Sequence, residues 1–556
     1  MLKTLNTKPG ALNRRSNNLF SWLIIATTVA IAASISAPTF ADPFIPGDLI
    51  VTRSVYTGTA STVTIGQTLP PVCGTQATCN GKATDNGQYP NLFNSNNVWN
   101  NDKVDGSFGI TSPIFLDQLN TSGTKVSSIN LTTAAAALGA NLTTSFSSKS
   151  ELAINLSTNG TALTLMGYVA PANTIDVSNA NTPGHVDPTN PVGSSFQRAV
   201  AQINADGSVQ VTPVNTYSGN NGRAVVFDNV TNQYFMVGNA GNGSGTQPTF
   251  IVNNTGVQIT TPGGSANTTV VGAQQGTPGQ ANGFQFGFSV AQTNPATGLP
   301  YGSADKSGKD DNFRGETIFN NTLYVTKGSG SNGINTVYQV GAVGSLPTLA
   351  NAAVIPITIL PGFPTGLANA AGASNPFGIW FADTNTVYVA DEGDGTMANA
   401  GASKIAGLQK WSLVNGVWKL DYVLQNGLNL GIPYTVADYP TALDPETDGL
   451  RNITGHINGD GTVTIYGVTS TVSSNGDQGA DPNKLVAITD VLANLTASGA
   501  TTEQFITLDS AGASEVLRGV AFTPTAATPE PSTLTLLTIG LGLVGFFSRR
   551  RKGIAK

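Results

Sequence analysis

Short runs in which apolar residues alternate with polar or small ones dominate this 556-residue chain. The clearest example is residues 377–424, which read FGIWFADTNTVYVAD and, after a loop, GLQKWSLVNGVWKLDYVL. Each half has two alternating runs joined by a turn, which is the pattern of a β-hairpin. Asn415-Gly416 lies between the two runs of the second half and accepts the positive φ values of a tight two-residue turn. The pattern predicts a four-stranded sheet, one blade of a β-propeller.

The same pattern recurs along the chain in degenerate form. The first hairpin returns at residues 150–168, 221–239, 313–330 and 450–470. The second returns at residues 198–214, at 249–261, and at 484–490 with 503–508. Blade starts fall about 60 to 90 residues apart, beyond the roughly 40 to 50 of short-repeat propellers. Long polar loops are therefore expected between the strands.

One predicted blade is divided between the two ends of the chain. Residues 517–524 (LRGVAFTP) resemble an inner strand that lacks its neighbours, and residues 47–56 with 113–131 supply the missing strands. A ring closed by strands from both termini has no open sheet edge there. We count six blades, and the weakly patterned residues 262–312 have room for a seventh. The predicted fold is an all-β propeller with helical segments only at the N-terminal signal and the C-terminal tail.

Composition agrees with a turn-rich β protein. The chain has 64 glycines, and only 10% of its residues are charged. The net charge is -6, and the few lysines and arginines of the body are scattered along the sequence. Nucleic-acid binding needs a concentrated basic surface, so it is not favoured here.

The N-terminus has the composition of a secretory signal peptide. Basic residues precede an apolar run at residues 20–33, and small residues follow it up to Ala41. The alternative, a retained membrane anchor, is less favoured because the run is shorter than the ~20 residues of a membrane-spanning helix. The sequence therefore divides into a signal peptide (1–41), a propeller domain (42–526) and a C-terminal tail (527–556).

Cys73 and Cys79 are the two cysteines of the chain and lie in a polar segment. Export to an oxidising compartment favours a disulfide between them. Two free thiols are the alternative, and a metal site is less favoured because the segment has no histidine and no third cysteine.

The C-terminal tail carries the most specific motif of the sequence. Pro529, Glu530 and Pro531 precede an apolar run at residues 534–547, and a basic cluster follows, formed by Arg549, Arg550, Arg551 and Lys552. This order resembles the PEP-CTERM sorting tail, which exosortase handles in bacteria that make exopolysaccharide. The resemblance implies a transmembrane segment at 533–548, transient anchoring in the inner membrane, cleavage near the Pro-Glu-Pro motif, and a cell-surface or extracellular destination. An ordinary tail anchor is the alternative.

The body is similar to the propeller proteins that often precede such tails. The similar segments are PIFLDQLNTSGTKV, FGIWFADTNTVYVADEG, GLQKWSL and LRGVAFTP. This resemblance implies a fold and a destination and does not indicate an activity.

The sequence contains no familiar catalytic motif and predicts no catalytic residue. G-x-S-x-G, a Walker loop and H-E-x-x-H are all missing. The two histidines are His185, in a proline-rich segment, and His456, in a predicted strand where we favour a packing role. No cofactor is predicted, apart from a calcium ion.

Two acidic clusters are candidates for that ion. They lie at residues 391–394 and 444–448, and carboxylates of this kind suit calcium. The candidate ligands are Asp391, Asp394, Asp444 and Asp448. Solvated turn residues are the favoured interpretation, because the second cluster lacks the glutamate that completes an EF-hand loop.

Four arginines occupy similar places in the repeats, each near the start of an inner hairpin: Arg223, Arg314, Arg451 and Arg518. Equivalent positions of a propeller converge on the central channel, so the four predict a ring that binds an anionic group such as an acidic sugar. The alternative, which we favour, is that each arginine pairs with a carboxylate or carbonyl of the neighbouring blade.

Two classes of function fit these features. The first is a non-enzymatic surface or matrix protein whose propeller binds exopolysaccharide or another envelope component, with exosortase as its partner during sorting. The second is an esterase-like or phytase-like propeller hydrolase. A phytase-like site needs dense carboxylates and lysines around the channel, and the low charge content favours the binding protein.

Overall fold

A computed structural model of the protein describes residues 44–526, except for 70–81, 84–85, 89–99, 102–104, 191, 242–247, 273–310, 329–332, 367, 369–371 and 475–478. The predicted signal peptide, Cys73, Cys79, and the C-terminal tail with its apolar run lie outside the described residues. The structure therefore bears on the predicted propeller body.

The described residues form six four-stranded antiparallel sheets and two short two-stranded ones. In chain order the strands are β1 (Leu49–Val55), β2 (Asn100–Asn101), β3 (Asp105–Gly109), β4 (Thr111–Ser112), β5 (Ile114–Leu119), β6 (Lys125–Asn130), β7 (Thr144–Ser145), β8 (Asn155–Leu156), β9 (Ala162–Tyr168), β10 (Arg198–Asn204), β11 (Val209–Val214), β12 (Gly222–Asp228), β13 (Gln233–Gly238), β14 (Gly256–Thr260), β15 (Thr269–Val270), β16 (Glu316–Phe319), β17 (Thr322–Lys327), β18 (Thr336–Val340), β19 (Ile357–Ile359), β20 (Pro376–Asp383), β21 (Thr386–Asp391), β22 (Gly407–Val414), β23 (Val417–Leu424), β24 (Glu446–Ile457), β25 (Thr462–Val472), β26 (Lys484–Val491), β27 (Ile506–Ser510) and β28 (Glu515–Phe522).

The six larger sheets are the blades of a propeller, which confirms the predicted fold class. Blades 2 to 6 each use four consecutive strands: β8–β11, β12–β15, β16–β19, β20–β23 and β24–β27. Blade 1 has the strand order β28-β1-β5-β6. The inner strands of the blades are β28, β8, β12, β16, β20 and β24, and each contacts the inner strand of the next blade around the ring.

Blade 5 is the blade predicted from residues 377–424. Its four strands, β20 to β23, pair in sequence order. The turn between β22 and β23 has φ values of 53° at Asn415 and 80° at Gly416, both positive. These are the values that a tight hairpin turn requires, so the Asn-Gly signal located this turn correctly.

Blade 1 is the predicted split blade. β1 pairs with β28 on one side, from Leu49 opposite Phe522 to Val55 opposite Glu515, and with β5 on the other side. A strand from the beginning of the body thus lies inside the sheet that its end completes. Ring closure by both termini is confirmed.

Strand alternation explains how the blades hold one another. Successive side chains of a strand point to opposite faces, so each blade supplies apolar residues to both of its neighbours. In β1, Leu49 and Val51 pack into the core between blades 6 and 1, whereas Ile50 packs between blades 1 and 2. A buried apolar cluster lies between every consecutive pair of blades, and the six clusters complete the ring.

Three details of the predicted fold need correction. The body contains short helices, α1 (Leu131–Ala137), α2 (Thr249–Val252) and α3 (Met397–Ala400), with 3₁₀ turns at Ala352–Val354 and Thr441–Leu443. In α1, Asn130 accepts a hydrogen bond from the Thr133 N–H and caps an alanine-rich segment that favours helix. Residues 249–252 form α2, so the predicted hairpin at 249–261 contributes only β14. The ring closes with six blades, and β15, within the proposed seventh, is the outer strand of blade 3.

Within the described parts of residues 44–526, no helix has both the length and the apolar character needed to cross a membrane.

Candidate functional site

Six equivalent positions surround the central channel, one on or just before each inner strand. Close backbone contacts between neighbouring blades identify these positions. Gly315 lies so near the next blade that an added Cβ would be 2.2 Å from the Phe377 carbonyl oxygen. A Cβ added to Gly378 would be 2.5 Å from the Arg451 carbonyl oxygen. The Asn452 amide donates to the Arg518 carbonyl at 2.7 Å. The six residues at these positions are Leu152, Arg223, Arg314, Phe377, Arg451 and Arg518. A small residue or asparagine follows each one, because the inner strands approach closely there.

We call Arg223, Arg314, Arg451 and Arg518 the arginine ring. All four are buried, with exposed fractions between 3% and 6%. The equivalence of their positions agrees with the sequence prediction. Whether they bind an anion or only tie the blades together depends on the partners of each guanidinium.

Three members of the ring donate to a neighbouring blade or loop. Arg223 donates from Nε to Ser150 Oγ at 3.1 Å and from Nη1 to the Phe313 carbonyl at 2.9 Å. Arg518 donates from Nη1 to the Ser148 carbonyl at 2.6 Å and from Nη2 to that of Phe146. These bonds satisfy guanidinium donors that are otherwise cut off from water.

The third of these arginines forms an ion pair. Arg451 Nε lies 3.1 Å from Glu392 Oε2, and both side chains are at most 5% exposed. Three members of the ring therefore have the partners expected of inter-blade ties.

Arg314 differs from the other three. Its guanidinium forms no hydrogen bond and no ion pair with the described residues, and its Nε is fully buried. Burial lowers the pKa of Arg314 to about 10, with Glu392 opposing that shift and Arg451 adding to it. A buried polar group without a partner is rare in folded proteins. Arg314 is therefore the member of the ring with donors available to a ligand.

Lys149 adds a further positive charge beside Arg314. Its Nζ lies 3.4 Å from Glu392 Oε1, and burial lowers its pKa while Glu392 opposes the shift. Burial alone would raise the pKa of Glu392. The neighbouring cations outweigh burial and hold that pKa below its usual range; they are Lys149, Arg451 and Arg314. Lys149 and Arg451 thus pair with one carboxylate, and Arg314 acts on it through its charge without a direct ion pair.

The predicted calcium ligands separate into two groups. Asp391, Asp394 and Asp448 line one cavity beside the arginine ring. Asp444 is not part of that lining, and its Oδ2 accepts from Thr435 Oγ1 at 3.1 Å. Among the residues that the structure describes, no three His, Cys, Asp or Glu side chains are grouped as ligands of one metal ion. Calcium binding stays a prediction.

The two histidines lie apart from this region. His185 Nε2 lies 3.2 Å from Asn267 Oδ1 in the loops of blades 2 and 3. His456 is in β24 and packs edge-on against Phe522, with ring centroids 6.0 Å apart. This contact is what a packing residue makes.

The sequence analysis did not include Lys149, and it did not predict that the Arg314 guanidinium lacks a partner among the described residues. Lys149 lies three residues before Leu152, the ring position of blade 2, and no shared residue type at this place in the repeats indicates it. No local signal distinguishes Arg314 from Arg518, because the difference lies in which loops of another blade reach each guanidinium.

Comparison with known proteins identifies the tail. Residues 527–552 match the PEP-CTERM protein-sorting motif, which confirms the resemblance seen in the sequence. Exosortase recognises this motif, and proteins that carry it are exported and sorted to the surface. A search of curated proteins finds no significant match to the chain.

Several solved structures are similar in fold. A protein from Lactobacillus plantarum is 12% identical, with a TM-score of 0.33 over 74% of this chain and 94% of its own. The parainfluenza virus 5 hemagglutinin-neuraminidase ectodomain is 10% identical, with a TM-score of 0.29 over 75% of this chain and 77% of its own. NanB sialidase from Streptococcus pneumoniae is 8% identical, with a TM-score of 0.32 over 72% of this chain and 64% of its own. At these values the similarities carry no argument about function.

Proposed function

We propose that the protein is a non-enzymatic binding protein of the cell surface or extracellular matrix, in which Arg314 and Lys149 hold an anionic group of an exopolysaccharide. The observation that carries the proposal is the buried Arg314 guanidinium, which has no partner among the described residues. Export supports the proposal, because the sorting motif sends the body to where such polymers occur.

The energetics of the site favour an anion. A buried donor without a partner costs roughly 1–3 kcal/mol, and more when it is charged. A carboxylate or sulfate group that accepts from Arg314 removes this cost and forms a charge-assisted hydrogen bond, with two parallel bonds where the geometry allows. Lys149 and Arg451 add electrostatic attraction, which is stronger for Arg451 because its side chain is 5% exposed and that of Lys149 is 29% exposed.

Sorting is proposed to follow the order that the tail implies. The signal peptide directs export, and the apolar segment 533–548 holds the protein briefly in the inner membrane. Exosortase then acts near Pro529-Glu530-Pro531, and the propeller reaches the surface or the matrix.

Protein recovered from the surface fraction is expected to begin near residue 42 and end near Pro529, which intact-mass measurement will test. As a control, alanine at Pro529, Glu530 and Pro531 should leave the tail attached and the protein in the membrane fraction. A surface-fraction mass that includes the last 25 or so residues would exclude the cleavage step.

Arg314→Met should weaken binding of a polygalacturonate oligosaccharide by about 10- to 100-fold, the equivalent of a charge-assisted hydrogen bond of roughly 1.5–3 kcal/mol. Its thermal stability should not fall, because no hydrogen bond of the protein is lost. Binding titrations at low and raised salt, with thermal melts of the same variants, give both quantities. Raised salt should weaken binding by the unsubstituted protein more than by the variant.

Arg518→Met is the matched control. It removes donors to two buried carbonyls, so its melting temperature should fall while the folded protein keeps its affinity. Undiminished affinity of Arg314→Met, or an equal loss of stability in both variants, would refute the proposed binding role.

A further inference from the structure

A cavity of about 930 Å³ adjoins the arginine ring at blades 5 and 6. Lys149 and Glu392, the ion pair beside Arg314, form part of its lining. The other polar side chains of the lining are Asn375, Asp391, Asp394, Asn399, Ser403, Lys404 and Asp448, and glycine and small apolar residues complete it. We call this space the acidic cavity. Its volume lies within the roughly 300–1,000 Å³ of small-molecule sites.

Asp448 is the unusual residue of the acidic cavity. Its side chain belongs to β24 and is 2% exposed. Oδ2 accepts from the Gly395 N–H at 2.8 Å. Oδ1 is buried and has no hydrogen-bond partner among the described residues. A buried carboxylate oxygen that lines a cavity without a partner points to a ligand that donates a hydrogen bond.

The other three carboxylates of the cavity are already engaged. Glu392 pairs with Lys149 and Arg451. Asp391 accepts from Ser374 Oγ at 2.6 Å, and also from two backbone N–H groups and the Gln409 amide. Asp394 is exposed and accepts from the Thr396 N–H at 2.8 Å and from the Asn399 amide at 2.7 Å. The acceptor oxygen left for a ligand is therefore that of Asp448.

We propose that the acidic cavity is a sugar subsite in which a ligand hydroxyl donates to Asp448 Oδ1 while an anionic group of the same ligand binds Arg314. The ligand class is then a uronic-acid-type saccharide, which carries a carboxylate and hydroxyls on one ring. The anionic half of this inference rests on the proposed function. The Asp448 half rests on the geometry of the cavity alone.

A hydroxyl fits this site better than a calcium ion does. Calcium takes 6–8 oxygen ligands, and three of the four carboxylates are committed to protein donors. A hydroxyl needs one acceptor, and the Asn375 and Asn399 amides nearby offer further partners for neighbouring hydroxyls.

The ionisation of Asp448 supports the assignment. Burial raises its pKa to about 7, with Asp394 and Glu392 adding to the shift and Lys149 opposing it. A carboxylate whose folded-state pKa is raised stabilises the protein below its unfolded-state pKa, and this contribution is lost as the pH rises through 7. At pH 8 the ionised group is therefore a strong acceptor that destabilises the unliganded protein.

Asp448→Asn tests whether the buried charge of Asp448 destabilises the unliganded protein. The amide has nearly the same shape and no charge, so at pH 8 the variant should melt at a higher temperature than the unsubstituted protein. At pH 5 this advantage should be smaller, and it should disappear only below the unfolded-state pKa of aspartate. A lower melting temperature at pH 8 would contradict the raised pKa of Asp448.

Two polymers distinguish the two halves of the site. A polygalacturonate oligosaccharide carries carboxylates and hydroxyls, whereas polyacrylate carries carboxylates only. Asp448→Asn should weaken binding of the oligosaccharide about 10-fold at pH 8. Binding of polyacrylate should be unchanged or stronger, because a negative charge has been removed.

Arg314→Met and Asp460→Asn complete the experiment. Arg314→Met should weaken the binding of both polymers. If it weakens the binding of neither, the proposed anion site is wrong, and the effect of Asp448→Asn on oligosaccharide binding still tests the Asp448 subsite. Asp460→Asn, in an exposed turn outside the cavity, should change nothing. Two results would overturn the sugar subsite. In the first, Asp448→Asn binds the oligosaccharide as tightly as the unsubstituted protein does. In the second, Asp448→Asn binds both polymers more weakly by the same factor.

Discussion

Deletion of residues 47–56 is expected to prevent the propeller from folding stably. The segment contains β1, which lies inside blade 1 and pairs with β28 and β5. Without it, both neighbours become open sheet edges, and an open edge invites aggregation. The ring would also lose the strand that joins the beginning of the body to its end.

The apolar contribution alone is comparable with the stability of a domain. Leu49, Ile50 and Val51 are completely buried. Each such side chain contributes roughly 1.5–3 kcal/mol, so the three together contribute about 5–9 kcal/mol. Native proteins are stable by only about 5–15 kcal/mol in total. Arg53, which pairs with Asp117 at 2.6 Å and also with Glu515, adds a polar tie between β1, β5 and β28.

Circular dichroism, thermal melts and size-exclusion chromatography will measure the loss. A synthetic peptide of residues 47–56 added to the deleted protein is the control, because strand addition should restore part of the cooperative melt. If the deletion variant has a melting temperature within one or two degrees of that of the intact propeller, β1 is not needed for ring closure.

The elements that could be predicted from the sequence are those with a local signal. Period-two alternation and the Asn415-Gly416 turn placed the strands of blade 5, and the unmatched inner strand at 517–524 pointed to the closing blade. These signals are local because successive residues of a strand point to opposite faces of the sheet, so the sequence itself alternates between the two environments. The seven-residue β1, with buried residues facing two different cores, is the clearest case.

The errors arose where contacts with other parts of the fold determine the local secondary structure. All four residues of 249–252 have high strand propensity, yet they form α2, because strand propensity depends strongly on neighbouring strands. The outer strand of blade 3 is instead the two-residue β15. The second hairpin of blade 4, β18 and β19, escaped notice because 16 residues separate its strands.

The candidate site was predicted in part. The equivalence of the four arginines follows from the repeat, and the structure places them around the channel. The lack of a partner at Arg314 and at Asp448 Oδ1 could not be predicted, because it depends on contacts among loops of different blades. The sequence thus indicates which residue types reach the channel, and only the structure shows which of them have capacity for a ligand.

A buried ion pair joins blades 5 and 6 away from the channel. Lys410 in β22 and Asp490 in β26 are both fully buried, with Lys410 Nζ 2.8 Å from Asp490 Oδ2. Lys410 also donates to the carbonyls of Val491 and Leu492, at 2.9 and 3.0 Å. Tyr422 donates to Asp490 Oδ1 at 2.6 Å, and Tyr388 donates to Oδ2. Nearly every polar atom of the pair is therefore satisfied.

Lys410→Ala or Asp490→Ala should each lower the free energy of unfolding by roughly 3–5 kcal/mol, because each leaves the opposite charge buried without a partner. The double variant Lys410→Met, Asp490→Leu should cost much less than the two single losses combined, since two apolar side chains of similar volume leave no buried charge. Denaturant unfolding of the unsubstituted protein, the two single variants and the double variant gives these free energies. Lys419→Ala, on the exposed face of the adjacent β23, is the control and should shift stability by no more than about 0.5 kcal/mol. Single variants as stable as this control would mean that blades 5 and 6 are held together by their apolar core alone.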